Sequence, residues 1–149
     1  MQRTQANNAM RNSSGTWIRA IALIEGIFTL GTGLALLFLP RWFYDSVADF
    51  GTYNQHFMGD VGAFSIAIGI GLIIAARDPW RYRALIGIGA ISSLIHVANH
   101  AYDDFFSGQG VTRHFLLNTL PLLVLAILLA LAWYTTRARE EDRGTQSAT

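Results

Sequence analysis

The chain carries four apolar blocks, each long enough to cross a lipid bilayer. Crossing roughly 30 Å of hydrocarbon as an α-helix takes about 20 mostly apolar residues. The blocks run from Trp17 to Leu39, from about His56 to Ala76, from about Ala84 to Tyr102 and from about His114 to Tyr134. Pro40 stops the first, Arg77-Asp78-Pro79 ends the second, and Asp103-Asp104 closes the third. The runs are too long for membrane strands and lack their sustained alternation. A helix satisfies its own backbone where there is no water to do so. The expected fold class is therefore all-α: a polytopic membrane protein with four transmembrane helices in an antiparallel bundle. Pro121 is the one proline inside a block; it lies two turns into the fourth, where neighbouring helices can absorb a kink.

Residues 17–135 then form the membrane bundle, flanked by polar segments 1–16 and 136–149 that are expected to be flexible tails. The first block is longer than the roughly 7–15-residue apolar region of a secretory signal, and no small-residue cleavage site follows Pro40. It is expected to be a retained helix. Charged residues make up 14% of the chain, against about 25% in soluble domains. That argues against a disordered protein, a nucleic-acid-binding arm and most soluble enzymes. There is no cysteine, so thiolate metal sites, Fe–S ligation and cysteine nucleophiles are excluded.

Four spans put both termini on one side, and the arginines choose the side. Arg3, Arg11, Arg19, Arg77, Arg81, Arg83, Arg137, Arg139 and Arg143 flank the terminal ends, whereas Arg41 and Arg113 alone lie at the other. Basic residues favour the cytoplasmic face, so both termini are expected in the cytoplasm. Aromatic belts fit the same boundaries, with Trp17, Trp80, Tyr82, Trp133 and Tyr134 inside and Trp42, Phe43, Tyr44, Tyr53 and Tyr102 outside. The segment from Arg41 to Asn54 spaces Phe43, Val47 and Phe50 as a short interfacial helix would.

Apolar burial does little to join helices in lipid, so small residues mark where backbones meet. Gly26 and Gly33 in the first span, Gly59, Gly62, Ser65 and Gly69 in the second, and Gly87, Gly89, Ser92 and Ser93 in the third predict close packing among these three. Beyond Pro121 the fourth is almost purely aliphatic and is expected to face lipid.

All four histidines fall at the outer ends of spans. His56 and Asp60 are four apart on the second, His96 and His100 on the third, and His114 and Asn118 on the fourth. Residues four apart share a helix face, so three helices each present a polar pair at one level. Neighbouring helices of a bundle build metal sites in this way. The candidate ligands are His96 and His100, completed by His56, Asp60 or His114. Ser92, Asn99, Asp103 and Asn118 would orient the rings from behind. Imidazole and carboxylate without thiolate suit Zn, Cu, Fe or Ni. Haem is less favoured, because two ligands on one helix face cannot take opposite axial positions. The plain alternative is that these groups only hydrogen-bond one another and hold helices together.

Glu25 stands about 12 Å into the membrane from Trp17. Thr29 and Thr32 continue its face, and Ser65, Ser92 and Ser93 reach a similar depth. With no arginine at that level, Glu25 is expected to be a neutral acid or to be held by these hydroxyls. No G-x-S-x-G, phosphate loop or dinucleotide fingerprint is present, nor the Glu of a zinc-protease motif in His96-Val97-Ala98-Asn99-His100.

L-F-L-P at 37–40, F-M-G-D-V-G-A-F at 57–64 and H-V-A-N-H-A-Y-D at 96–103 resemble small four-helix bacterial membrane proteins of the DoxX-like kind and neighbouring families. The likeness covers residues 17–135. It implies a bacterial plasma-membrane protein and, for some DoxX-like proteins, membrane redox chemistry linked to quinone; without cysteine, thiol versions of that chemistry do not carry over. Three functions follow as expectations, none of them favouring an enzyme. The first is an accessory or binding protein holding a metal ion, or a haem, at the outer His/Asp cluster. The second is a structural subunit of a larger membrane complex, and the third a small transporter or proton conductor using Glu25. The lipid bilayer is the expected partner, with other membrane subunits in the second case and nucleic acid in none.

Overall fold

The structure is a computed structural model. It describes the backbone over residues 2–47, 51–106 and 115–147, and side chains over 15–47, 51–106 and 115–138, Leu117 excepted. Five α-helices follow in order: α1 (Gln2–Phe38), α2 (Pro40–Ser46), α3 (Gln55–Arg77), α4 (Arg83–Phe106) and α5 (Leu120–Ser147), with a π-helical turn over Phe115–Thr119. Four stretches are long and apolar enough to cross a membrane: Gly15–Phe38, Gln55–Arg77, Arg83–Phe106 and Leu120–Ala138. The chain has the architecture of a four-span helical membrane protein. The helical assignment also enters both segments expected as tails, since α1 starts at Gln2 and α5 ends at Ser147.

The helix ends follow local chemistry. Pro40 cannot continue the ladder of α1 and drives Leu39 out of the helical region, to φ −130° and ψ 45°. It then serves as the first residue of α2, where its missing N–H is harmless. Asn54 caps α3 by accepting the Phe57 amide at 3.1 Å. Asp78 accepts the Arg81 amide at 3.3 Å and turns the chain into α4. Of the expected outer interfacial helix, α2 covers Pro40–Ser46, and residues 48–50 lie outside the described residues. Arg41 pairs with Asp45 at 2.9 Å there, with its guanidinium 5.1 Å from the centre of the Tyr53 ring.

Packing divides the helices into two pairs. The most extensive contact is α1 on α3, followed by α4 on α5. Glycines permit the first. A methyl group added at Gly33 would meet the Ile66 amide nitrogen and the Gly62 carbonyl, and one at Gly69 would meet the backbone of Leu30. Low-numbered positions of α1 meet high-numbered positions of α3, so the two run in opposite directions. The expected small-residue packing is thus found between α1 and α3. In α4, by contrast, Gly87 makes room for the Trp133 ring and Gly89 for Leu72.

The pairs join in the half nearer the termini. Ile18, Leu72, Ala75, Ile86, Ala90, Leu129 and Ala132 form a buried apolar cluster, with Trp17, Trp80, Tyr82 and Trp133 packed against it. Two details of the fourth span differ from expectation. Pro121 is the second residue of α5 and not a mid-span kink, because the π turn precedes it. A proline donates no hydrogen bond and its ring excludes the carbonyl four residues back, so the ladder changes register before it. Nor does α5 simply face lipid. Ala126, Leu129, Ala132 and Thr136 are buried along one face, while Val124, Ile127 and Leu131 stay exposed.

Candidate functional site

The polar groups of the bundle gather in three places. At the end away from the termini, called the distal end here, His96 and His100 meet on α4. Their Nε2 atoms lie 3.2 Å apart and their rings stand edge to face at 4.7 Å. The i,i+4 spacing brings them together. His100 is half-buried and His96 exposed. On α3, the His56 Nε2 is 3.5 Å from Asp60 Oδ2, and both side chains are largely exposed. Among the described residues no three His, Asp or Glu side chains come together as a set able to hold a metal ion. The two pairs therefore stand as separate pairs. His114 lies outside the described residues, although its neighbour Phe115 packs its ring on Phe105 at 5.5 Å.

The inward face of α4 is one residue away from the polar stripe seen in the sequence. Ser92 is half-buried, and Asn99 and Asp103 are exposed, as is Asn118 before α5. Ile86, Gly87, Gly89, Ala90, Val97 and Asp104 are the residues buried along the helix. Asp104 is 4% exposed, and its Oδ2 accepts the Thr119 hydroxyl at 2.6 Å. This second polar site, Asp104 with Thr119, is missing from the sequence reading. Its signal was there to find: Ala90, Val97 and Asp104 are seven apart, a spacing that keeps one face turned to a neighbouring helix. A carboxylate taken out of water needs such a donor, and the π turn ending at Thr119 delivers it.

The third place is the middle of the membrane. Glu25 on α1 is 4% exposed, and Ser93 on α4 donates its hydroxyl to Glu25 Oε1 at 3.0 Å. Of the hydroxyls expected near it, Ser65 instead donates to the Val61 carbonyl of its own helix at 2.8 Å. Glu25 Oε2 is buried and has no hydrogen-bond partner among the described residues. The Glu25–Ser93 bond links α1 of one helix pair to α4 of the other.

Residues 17–147, nearly all of the four-span bundle, match a family of unknown function (DUF6632). The chain belongs to this family. Among curated proteins and among solved structures no significant match was found. Membership of DUF6632, a family of unknown function, attaches no chemistry to the four-helix architecture.

Proposed function

We propose that this DUF6632 member is a small plasma-membrane accessory protein that holds a divalent transition metal at its distal end through His96 and His100. The observation that supports the reading is the 3.2 Å between the two Nε2 atoms. Two imidazole nitrogens bound to one tetrahedral Zn at 2.0–2.1 Å would stand about 3.3 Å apart. The two rings thus converge as a pair of ligands would, and the i,i+4 helix spacing holds them so. Further donors would come from His56, Asp60 or His114, of which His56 and Asp60 stand apart from the α4 pair in this structure, and Asn99 and Asp103 on the same helix would orient the rings. The arginine distribution supports cytoplasmic termini and hence an extracytoplasmic metal. The DoxX-like resemblance supplies bacterial membrane redox chemistry as the setting for such a metal.

The test is elemental analysis and visible spectroscopy of the full chain, purified without a histidine tag and titrated with Co(II) or Cu(II). Wild type should carry a stoichiometric divalent ion. The ion should be lost in His96→Ala and His100→Ala and retained in Glu25→Gln. Binding should weaken as pH falls, because protons compete for imidazole. A second reading is favoured by the pairwise contacts themselves: His96 with His100, and His56 with Asp60, already engage one another. On that reading the protein is a structural subunit of a larger membrane complex. Wild type free of metal and co-purifying with a stoichiometric protein partner would establish it over the first.

A further inference from the structure

We propose that Glu25 is a proton-binding site of the membrane interior, filled from the distal side of the bundle and closed toward the terminal side. Its carboxyl is the one intramembrane acid at mid-span. One oxygen accepts the Ser93 hydroxyl at 3.0 Å, while the other is buried and unpartnered among the described residues. An ionised oxygen so placed, away from water and without a donor, is strongly disfavoured. A proton taken up on Oε2 removes the charge, leaves Oε1 to accept from Ser93, and breaks no other bond.

The surroundings of this acid are lopsided. Toward the terminal end every helix is apolar. Residues 20–24 of α1, 66–76 of α3, 84–91 of α4 and 127–134 of α5 contain no ionisable group other than Tyr134, at the edge, and no hydroxyl besides that one. The interior there is the cluster of Ile18, Leu72, Ala75, Ile86, Ala90, Leu129 and Ala132, each no more than 1% exposed. Such a plug offers a proton no carrier. Toward the distal end α1, α3 and α4 turn polar, while α5 stays apolar out to Leu120. Thr29 and Thr32 on α1 are half-buried, as are Ser65 on α3 and Ser92 on α4; Asn99 and Asp103 lie exposed further out. Polar side chains therefore accompany α1 and α4 from the level of Glu25 outward, and inward none does before Arg19 on α1 and Arg83 on α4.

The groups that could bias the acid are few. On α1 the nearest charge is Arg19, exposed and six residues toward the terminal end; on α4 the neighbour is Ser93, with His96 one turn distal on an exposed position. On α3 no ionisable residue lies between Asp60 and Arg77, and on α5 none lies between Leu120 and Ala132. No described Arg, His or acid forms an ion pair with Glu25. This site stands apart from the metal reading, since neither histidine touches it, and it makes the protein a one-sided proton acceptor in place of a through-conductor.

The test uses the full chain in liposomes of defined orientation, with internal and external pH set separately. The probe is dicyclohexylcarbodiimide, which modifies protonated carboxyls in apolar surroundings, with infrared detection of the carboxylic C=O band. Wild type should be modified at Glu25 and show that band at neutral pH, and Glu25→Gln should show neither. Raising distal pH past the midpoint should slow modification about tenfold per unit, and raising terminal pH alone should not. Ser93→Ala should move the C=O band to higher frequency by removing its hydrogen-bond donor, a readout that does not depend on Glu25→Gln folding. An ionised carboxylate at neutral pH would overturn the proposal. So would labelling that follows terminal pH or neither side, or a proton leak above that of Glu25→Gln.

Discussion

Replacing Gly33 by alanine tests the architecture most directly. The added Cβ would lie 2.7 Å from the Ile66 amide nitrogen and 2.8 Å from the Gly62 carbonyl oxygen. Ordinary contact begins near 3.4 Å, so α1 and α3 must separate by about 0.7 Å. Both obstructing atoms are backbone, so no rotamer change relieves the clash. Overpacking of this kind costs about 1–3 kcal/mol. Gly31, one residue pair away on the same helix, is the control. A Cβ there meets nothing within 4 Å, so Gly31→Ala should be neutral or stabilise by up to about 1 kcal/mol through helix propensity. The assay is reversible unfolding in mixed detergent micelles, followed by circular dichroism and by the fluorescence of the 4 tryptophans. Gly62→Ala should behave like Gly33→Ala, since its Cβ would lie 2.9 Å from the Gly33 carbonyl oxygen. The double substitution should cost less than the sum, because one separation relieves both clashes. Equal stability of Gly33→Ala and Gly31→Ala would refute the backbone-on-backbone seam.

Three further outcomes are expected. Thr119→Val should destabilise by about 1–3 kcal/mol, because it takes a hydroxyl donor from the buried Asp104 carboxyl, whereas Asp103→Asn should be near neutral; equal effects in the same unfolding assay would put the wrong face of α4 inward. Glu25→Gln should preserve the fold and Glu25→Lys should damage it by burying an unpaired charge, as judged by the yield of monodisperse protein in detergent. Cysteines placed at Ser13 and Gly108 should label differently with an impermeant reagent on intact cells, Gly108 reacting and Ser13 protected; the reverse pattern would invert the arginine-based orientation.

The number of spans and their approximate limits could be read directly along the chain. A bilayer demands about 20 apolar residues in each crossing whatever the helices later touch, and Pro40, Asp78-Pro79 and the Asp103-Asp104 pair mark the ends locally. The buried mid-membrane Glu25 was equally legible, because depth along a helix follows from counting residues. So was the meeting of His96 with His100, which depends on the pitch of a single helix.

What lay beyond the sequence was the rotation of each helix about its axis. Two adjoining faces of α4 carry polar side chains at the distal end, Ser92, Asn99 and Asp103 on one and Ser93 and Asp104 on the other, with His96 and His100 meeting between them. Composition alone does not rank them. The rotation follows from packing: Gly87 seats the Trp133 ring, Gly89 seats Leu72, and those contacts turn Asp104 toward Thr119 and leave Asp103 outside. In the same way the stripe of glycines announces that α1 meets something closely, but α3 is identified only by the interlock of Gly33 with Gly62. Length and depth are properties of one helix in a membrane and are written in its residues; inward and outward are defined by a neighbour, and a turn of one residue, about 100° of helix, exchanges them.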